Sequence, residues 1–323
     1  MNKPKILVTR RWPEPCEARL QALFDVTFNI DNQPLTLVEL RDALRDFDAV
    51  LPTVSDKLPA EVFQDGPLRC RILGNFGVGF NHIDIEAARQ RGIVITNTPD
   101  VLTESTADIA MMLMLMSARR ASEGERLLRA GQWTGWHPTQ LLGTQVTGKT
   151  LGLIGFGRIA QAMAKKAHFG FGMPIVFYTP RPVAPELLEH FQARQLESIE
   201  AVMREADFVA LHCPGSAANY HLVKAEHLAQ MKPGGILINT ARGDVMDNQA
   251  LIAALRERRI AAAGLDVYES EPKLDPGFLD LDNAVLLPHL GSATTETRVA
   301  MGMKVIDNVE AFFEGLAPPN RVV

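Results

Sequence analysis

The 323-residue chain is 46% hydrophobic and 22% charged, an ordinary globular balance, and is long enough to bury two separate cores. Its net charge of −5 argues against nucleic acid and anionic membranes as partners, since both need a basic surface to offset phosphate charge, and leaves room for a local basic site that takes a small anion. Three scattered cysteines, Cys16, Cys70 and Cys213, form no CxxC pair, so neither a disulfide framework nor a zinc site is expected and a reducing cytoplasm is the simpler setting.

The N-terminal MNKPKILVTRRW lacks the apolar stretch of a secretion signal. Short β-branched runs predict strands over Lys5–Thr9, Val26–Ile30, Ala49–Pro52, Arg71–Gly74 and Ile93–Asn97. Helical stretches alternate with them. Leu37–Phe47 is introduced by Thr36 with Glu39 at capping-box spacing, and Ile85–Arg91 is closed by Gly92. After TPDVLT (98–103) the rhythm changes, and one long helix is expected from Glu104 to about Ala130. Its apolar run IAMMLMLM (109–116) is far shorter than the roughly 20 residues that span a bilayer. The stripe of Met111, Met112, Met114 and Met116 is expected in a core or a subunit interface. A loop bearing Trp, Gly and Pro follows, GQWTGWHPTQLLG.

From Thr150 a second alternation predicts strands in LGLI, IVFY, DFVALHC, GILINTA, AAGLDV and AVLLP. The final helix, Thr295 to Phe313, has no strand after it and is expected to return to the first unit. The fold class is therefore α/β with two parallel-sheet domains.

LGLIGFGRIA (151–160) runs an apolar strand into Gly155-x-Gly157-x-x-Ala160, followed by a helix with apolar Ile159, Met163, Ala164 and Ala167. Gly155 suits the tight turn, Gly157 lets backbone N–H groups approach a pyrophosphate, and the helix N-terminus adds partial positive charge. Small size is all that Ala160 needs for helix–strand packing. The next strand ends Tyr178-Thr179-Pro180-Arg181, without the acid that binds the ribose hydroxyls of NAD. A hydroxyl followed by a guanidinium suits a 2′-phosphate, so NADP(H) is the expected cofactor, with NAD(H) as the alternative.

Three later segments place ionisable residues just after strands: INTARGD with Arg242, GLDVYESEP with Asp266, Glu269 and Glu271, and LLPHLGSAT with His289. Reduction of a 2-oxo acid needs a cation for the carboxylate, a proton donor and a partner that orients that donor. Arg, His and Glu fit those tasks, though spacing alone does not show that they converge. His82, His137, His168, His190, His212, His221 and His227 show no metal-ligand spacing and are expected to be structural.

The chain resembles the D-isomer-specific 2-hydroxyacid dehydrogenases, nearest the glyoxylate/hydroxypyruvate reductases. The matching residues are FGVGFNHID (76–84), TESTADIA (103–110), LGLIGFGRIA (151–160), LHCP (211–214), MKPGGILINTARGD (231–244), AGLDVYESEP (263–272) and LLPHLGSAT (286–294). The resemblance implies two Rossmann-like domains. One is a flavodoxin-like substrate domain from 1–102 plus 291–323; the other is a dinucleotide-binding domain over 103–290, with a long dimerising helix and loop. It implies that Arg242 holds the substrate and that His289 is the acid–base group, oriented by Glu271, the glutamate directly before a proline. Asp266 would contact the nicotinamide amide. Thr106, Arg158, Ile159, Cys213, Pro214, Thr240, Ala241 and Gly291 would complete the cofactor groove with Gly155, Gly157, Thr179 and Arg181. Leu51 and the backbone of Val78 and Gly79 would meet the substrate, and Trp136 would enter the partner subunit's site in a homodimer. Glyoxylate or hydroxypyruvate is the expected substrate; phosphoglycerate, D-lactate or formate dehydrogenation, or a non-catalytic dinucleotide sensor, are the alternatives.

Overall fold

The computed structural model describes residues 3–64 and 66–323. Its contacts divide into two compact units, one comprising residues up to Leu102 with Ala293–Val323, the other Thr103–Ser292. Gly291 and Ser292 thus stay with the second unit rather than passing to the first.

The first unit runs β1 (Lys5–Val8), α1 (Glu14–Leu23), β2 (Asp25–Phe28), α2 (Leu37–Asp46), β3 (Ala49–Leu51), β4 (Ile72–Gly74), α3 (Ile85–Gln90) and β5 (Val94–Thr96). All of its strand pairs are parallel, in the order β2-β1-β3-β4-β5 of flavodoxin-like sheets. Inner strands buried on both faces read as unbroken apolar runs, such as AVL in β3; the edge strand β2, DVTF, alternates exposed and half-buried residues. The capping box forms as the spacing predicts: Glu39 N–H donates to Thr36 Oγ1, and Thr36 N–H donates to Glu39 Oε2 at 2.7 Å.

The second unit contains α4 (Thr103–Ala118), α5 (Ala121–Arg129), β6 (Leu151–Ile154), α6 (Arg158–Phe171), β7 (Ile175–Tyr178), α7 (Pro185–Phe191), β8 (Ala193–Gln195), α8 (Ile199–Glu205), β9 (Phe208–Leu211), α9 (Ala225–Leu228), β10 (Ile236–Asn239), α10 (Asn248–Arg256), β11 (Ala262–Leu265) and β12 (Ala284–Leu286). The sheet order is β12-β11-β10-β9-β6-β7-β8, again all parallel, with the direction of winding reversing between β6 and β9. That reversal is the switch point at which open α/β sheets bind ligands. One core joins α4 and α6 to the sheet; a second contains residues of α8, α9 and α10.

One expectation is corrected here, and one strand is added. The single helix from Glu104 to Ala130 is two helices, because Ala118 accepts a hydrogen bond from Thr144 N–H at 2.8 Å and Arg120 adopts a left-handed φ of 51°. A Cβ on Gly143 would lie 2.3 Å from that same Ala118 carbonyl, so the loop can close on the helix end only through a glycine. The strand β8, ARQ, went unpredicted because an edge strand with one buried side chain carries no apolar run.

The final helix, α11 (Thr295–Phe313), belongs to the first unit, and its Met301, Val305, Ile306 and Val309 share a core with β1, β3 and β4. The tail beyond it covers the free edge of β5: Val322 N–H donates to Ile95 O at 2.7 Å and Ile95 N–H to Val323 O at 3.3 Å. Among the described residues, no helix is long and apolar enough to cross a membrane.

Candidate active site

The loop between β6 and α6 lies at the switch point. Gly155 takes a φ of 90°, and a Cβ there would stand 2.9 Å from the carbonyl carbon of His212, so glycine is required on both counts. At Gly157 the case differs: a Cβ would meet nothing within 4 Å, and the residue caps α6 without any side-chain hydrogen bond. Arg158 and Ile159 open a 14-residue helix with no acid in its first turn, and Ala160 is fully buried beneath it. The N-terminal N–H groups and open space of this turn suit an anion. Thr240 Oγ1 is buried with no hydrogen-bond partner among the described residues, an acceptor or donor left for a ligand. Cys213 is buried beside Gly155, while Pro214 is exposed and Ala241 half-buried. These residues fit a dinucleotide.

At the end of β7, Thr179 is half-buried and Arg181 exposed. No carboxylate occupies the strand end.

At the ends of β10, β11 and β12 the three ionisable segments come together. Asn239, fully buried, accepts from Ala241 N–H at 3.0 Å and donates to Arg242 O at 2.9 Å, shaping the turn that carries Arg242. Burial acts to lower the Arg242 pKa, opposed by the charges of Glu271 and Asp244. A Cβ on the next residue, Gly243, would lie 1.9 Å from the carbonyl carbon of Tyr268, so only glycine lets this turn pack against the Glu271 loop.

Glu271 Oε2 lies 2.8 Å from His289 Nδ1, and its other oxygen accepts from Tyr268 N–H at 2.9 Å. Burial would raise the Glu271 carboxyl, but the His289 contact, the Tyr268 N–H and the Arg242 charge outweigh it and hold the group below the usual range. Glu269 faces elsewhere, accepting from Tyr220 Oη at 2.9 Å and lying 3.1 Å from His221 Nε2. The glutamate paired with His289 is therefore Glu271.

His289 itself has a φ of 56°, unusual for a side chain of its size. Asp266 accounts for it. Its carboxylate, 1% exposed, accepts from Leu290 N–H at 2.6 Å and Gly291 N–H at 2.7 Å, fixing the turn just past the histidine. Burial pushes the Asp266 carboxyl upward, while these two N–H groups and His289 oppose it. Thr106, on α4, donates to Gly291 O at 3.1 Å and ties the same turn from the other side. The resemblance implies that Asp266 and Thr106 contact the cofactor; in the fold both hold the His289 turn.

In the first unit, Asn75 donates to Gly77 O and Gly79 O, each at 3.0 Å, while Asn97 donates to Val78 O at 2.9 Å. Since a trans peptide sets N–H opposite C=O, the Val78 and Gly79 N–H groups face away from these asparagines. Leu51 is corrected. Its side chain is fully buried among β1, β4 and α11, and a substrate contact by that side chain is not available. Met111 and Met114 are buried in the second unit's core, whereas Met112 is exposed. Trp136 is 79% exposed, with Trp133, Leu128 and Leu142 exposed around the same helix and loop region. Among the described residues, no group of three or more His, Cys, Asp or Glu side chains could hold a metal ion.

A family model described as "D-isomer specific 2-hydroxyacid dehydrogenase, NAD binding domain" matches residues 111–291. The chain belongs to the D-isomer-specific 2-hydroxyacid dehydrogenases. This dehydrogenase is 43% identical to a glyoxylate reductase of Thermococcus litoralis over 99% of its own length and 97% of the relative's. It is 38% identical to a glycerate dehydrogenase of Hyphomicrobium methylovorum, over 98% of each chain. Its fold matches the crystal structure of an NADPH-dependent glyoxylate/hydroxypyruvate reductase from Sinorhizobium meliloti, in complex with NADP and malonate. The TM-score is 0.88 at 34% identity, covering 100% of this chain and 97% of that one. The dehydrogenase is an oxidoreductase that uses a nicotinamide dinucleotide to reduce 2-oxo acids.

Proposed function

We propose that this dehydrogenase reduces glyoxylate and hydroxypyruvate, takes NADPH in preference to NADH, and uses His289 as the proton donor. The observation that carries the chemistry is the pairing of Glu271 with His289 Nδ1, which leaves Nε2 as the nitrogen for substrate. Arg242 grips the 2-oxo acid through its carboxylate, where a planar guanidinium can make two parallel hydrogen bonds. As the carbonyl carbon gains a hydride, its oxygen takes the proton from His289, and the alcohol leaves His289 neutral. The Glu271 carboxylate holds the ring so that Nε2 is turned to the substrate for the transfer. When bound, the dihydronicotinamide supplies the hydride.

The cofactor preference rests on Tyr178-Thr179-Pro180-Arg181, where no acid repels a 2′-phosphate and Arg181 is exposed to receive one. Initial rates with NADPH and NADH, each against glyoxylate, hydroxypyruvate and pyruvate, test both parts. Fast oxidation of NADPH with glyoxylate or hydroxypyruvate is expected. A preference for NADH would overturn the Arg181 assignment and leave the reaction standing, whereas no oxidation with any 2-oxo acid would point to dinucleotide sensing.

The exposed Met112, Leu128, Trp133, Trp136 and Leu142 favour a homodimer in which Trp136 reaches the partner's site. The three cysteines are free and buried, in keeping with a reducing cytoplasm. Sedimentation at micromolar concentration checks the assembly; a monomer that turns over normally would refute it.

A further inference from the structure

One side chain holds the loop that carries Thr179 and Arg181 at three points. Gln195, half-buried on β8, donates from Nε2 to Thr179 O at 3.0 Å and to Arg181 O at 3.1 Å. Its Oε1 accepts from Val183 N–H at 3.3 Å. The strand beneath it is fixed to β7 by its own ladder and by Leu196 N–H donating to Phe177 O at 2.8 Å. Pro180 and Pro182 flank Arg181 and have no N–H to give, so this loop has few ways to bond itself. Gln195 supplies what the prolines withhold, joining the loop to the sheet edge through both amide hydrogens and the amide oxygen.

We propose that Gln195 is a positioning residue for cofactor choice. By fixing the carbonyls of Thr179 and Arg181 it aims the Thr179 hydroxyl and the Arg181 guanidinium where a 2′-phosphate is received. This rests on the reading of Arg181 given above. A long cationic side chain on an untethered loop would lose conformational freedom on binding; a loop already pinned loses less, and the anion is held more tightly. Gln195 touches backbone and need not touch the cofactor, so its effect passes through Arg181.

The test titrates the whole enzyme with adenosine 2′,5′-bisphosphate and with AMP by calorimetry, which requires no turnover. The native protein binds the bisphosphate more tightly than AMP. Gln195→Met, close in volume but without the amide, loses about tenfold of that preference with AMP affinity and thermal midpoint unchanged. Combined with Arg181→Ala, it causes no further loss, because the two act as one unit. In turnover the KM for NADPH rises while kcat and the KM for NADH hold. Should Gln195→Met fail to fold, Gln195→Leu takes its place, likewise uncharged and without either donor.

If Gln195→Met keeps the preference while Arg181→Ala loses it, Gln195 has no such role and the cofactor reading survives. Additive losses, or equal weakening of both ligands, overturn the inference as well. Equal binding of bisphosphate and AMP by the native protein would remove the Arg181 reading and the inference together.

Discussion

Glu271 Oε2 lies 2.8 Å from His289 Nδ1, joining two residues eighteen positions apart at the ends of neighbouring strands. The contact orients the ring and fixes which nitrogen faces away from the glutamate. Glu271→Gln should lower kcat for 2-oxo acid reduction by about 10- to 100-fold. His289→Ala should cost about 10²- to 10⁴-fold with NADPH affinity intact. Steady-state kinetics from pH 5 to 9, with fluorescence titration of the cofactor, would show this. An unchanged kcat in Glu271→Gln would deny the pair its role.

Asp266 works one step behind the histidine. Replacing it with Ala strands the Leu290 and Gly291 N–H groups, which should cost about 1–3 kcal/mol of stability and release the left-handed turn at His289. Thermal unfolding and kcat should therefore fall together. A variant that keeps full kcat despite lower stability would show that His289 holds its place without Asp266.

The two glycines of the β6–α6 turn should behave differently. Gly155→Ala forces a side chain into a φ of 90° and against His212, and the protein should lose at least about 1 kcal/mol of stability. Gly157→Ala meets no protein atom, so its thermal midpoint should match the native value while dinucleotide affinity drops. Unchanged affinity in Gly157→Ala would argue that no pyrophosphate approaches there.

Burial pulls the pKa of His212, whose Nε2 lies 3.3 Å from Met163 Sδ, down to about 4. The folded protein keeps this ring neutral while the unfolded chain protonates it below pH about 6.5. Its contribution is therefore complete above that pH and is lost as the pH falls toward 4. On the order of 1–2 kcal/mol should disappear between pH 7 and 5, and His212→Gln should remove that part of the acid sensitivity. Urea denaturation of both proteins at the two pH values provides the comparison; parallel losses would assign the acid sensitivity to other groups.

Much of this protein is legible in the sequence because parallel strands buried on both faces leave unbroken apolar runs, as in LGLI and ILIN, whatever surrounds them. The turn chemistry is equally local: Gly155, Gly157 and the Thr36–Glu39 box depend on residues a few positions apart. The resemblance supplied the candidate roles of Arg242, Glu271 and His289 from ordered motifs. Tertiary structure decided the remainder. Arg120 breaks the expected long helix because Thr144, 26 positions beyond Ala118, takes that residue's carbonyl, and no Pro or Gly at the break announces it. Leu51 belongs to a core assembled partly from α11, more than 240 residues further along the chain. Gln195 sits on a strand that exists only because β7 pairs with it, so its grip on the Arg181 loop has no trace in local pattern. The sequence by itself determined every strand but β8, the glycine turn and the residue types of the site. Which side chains meet was set by sheet pairing, since a hydrogen bond between distant segments depends on where the whole fold brings them.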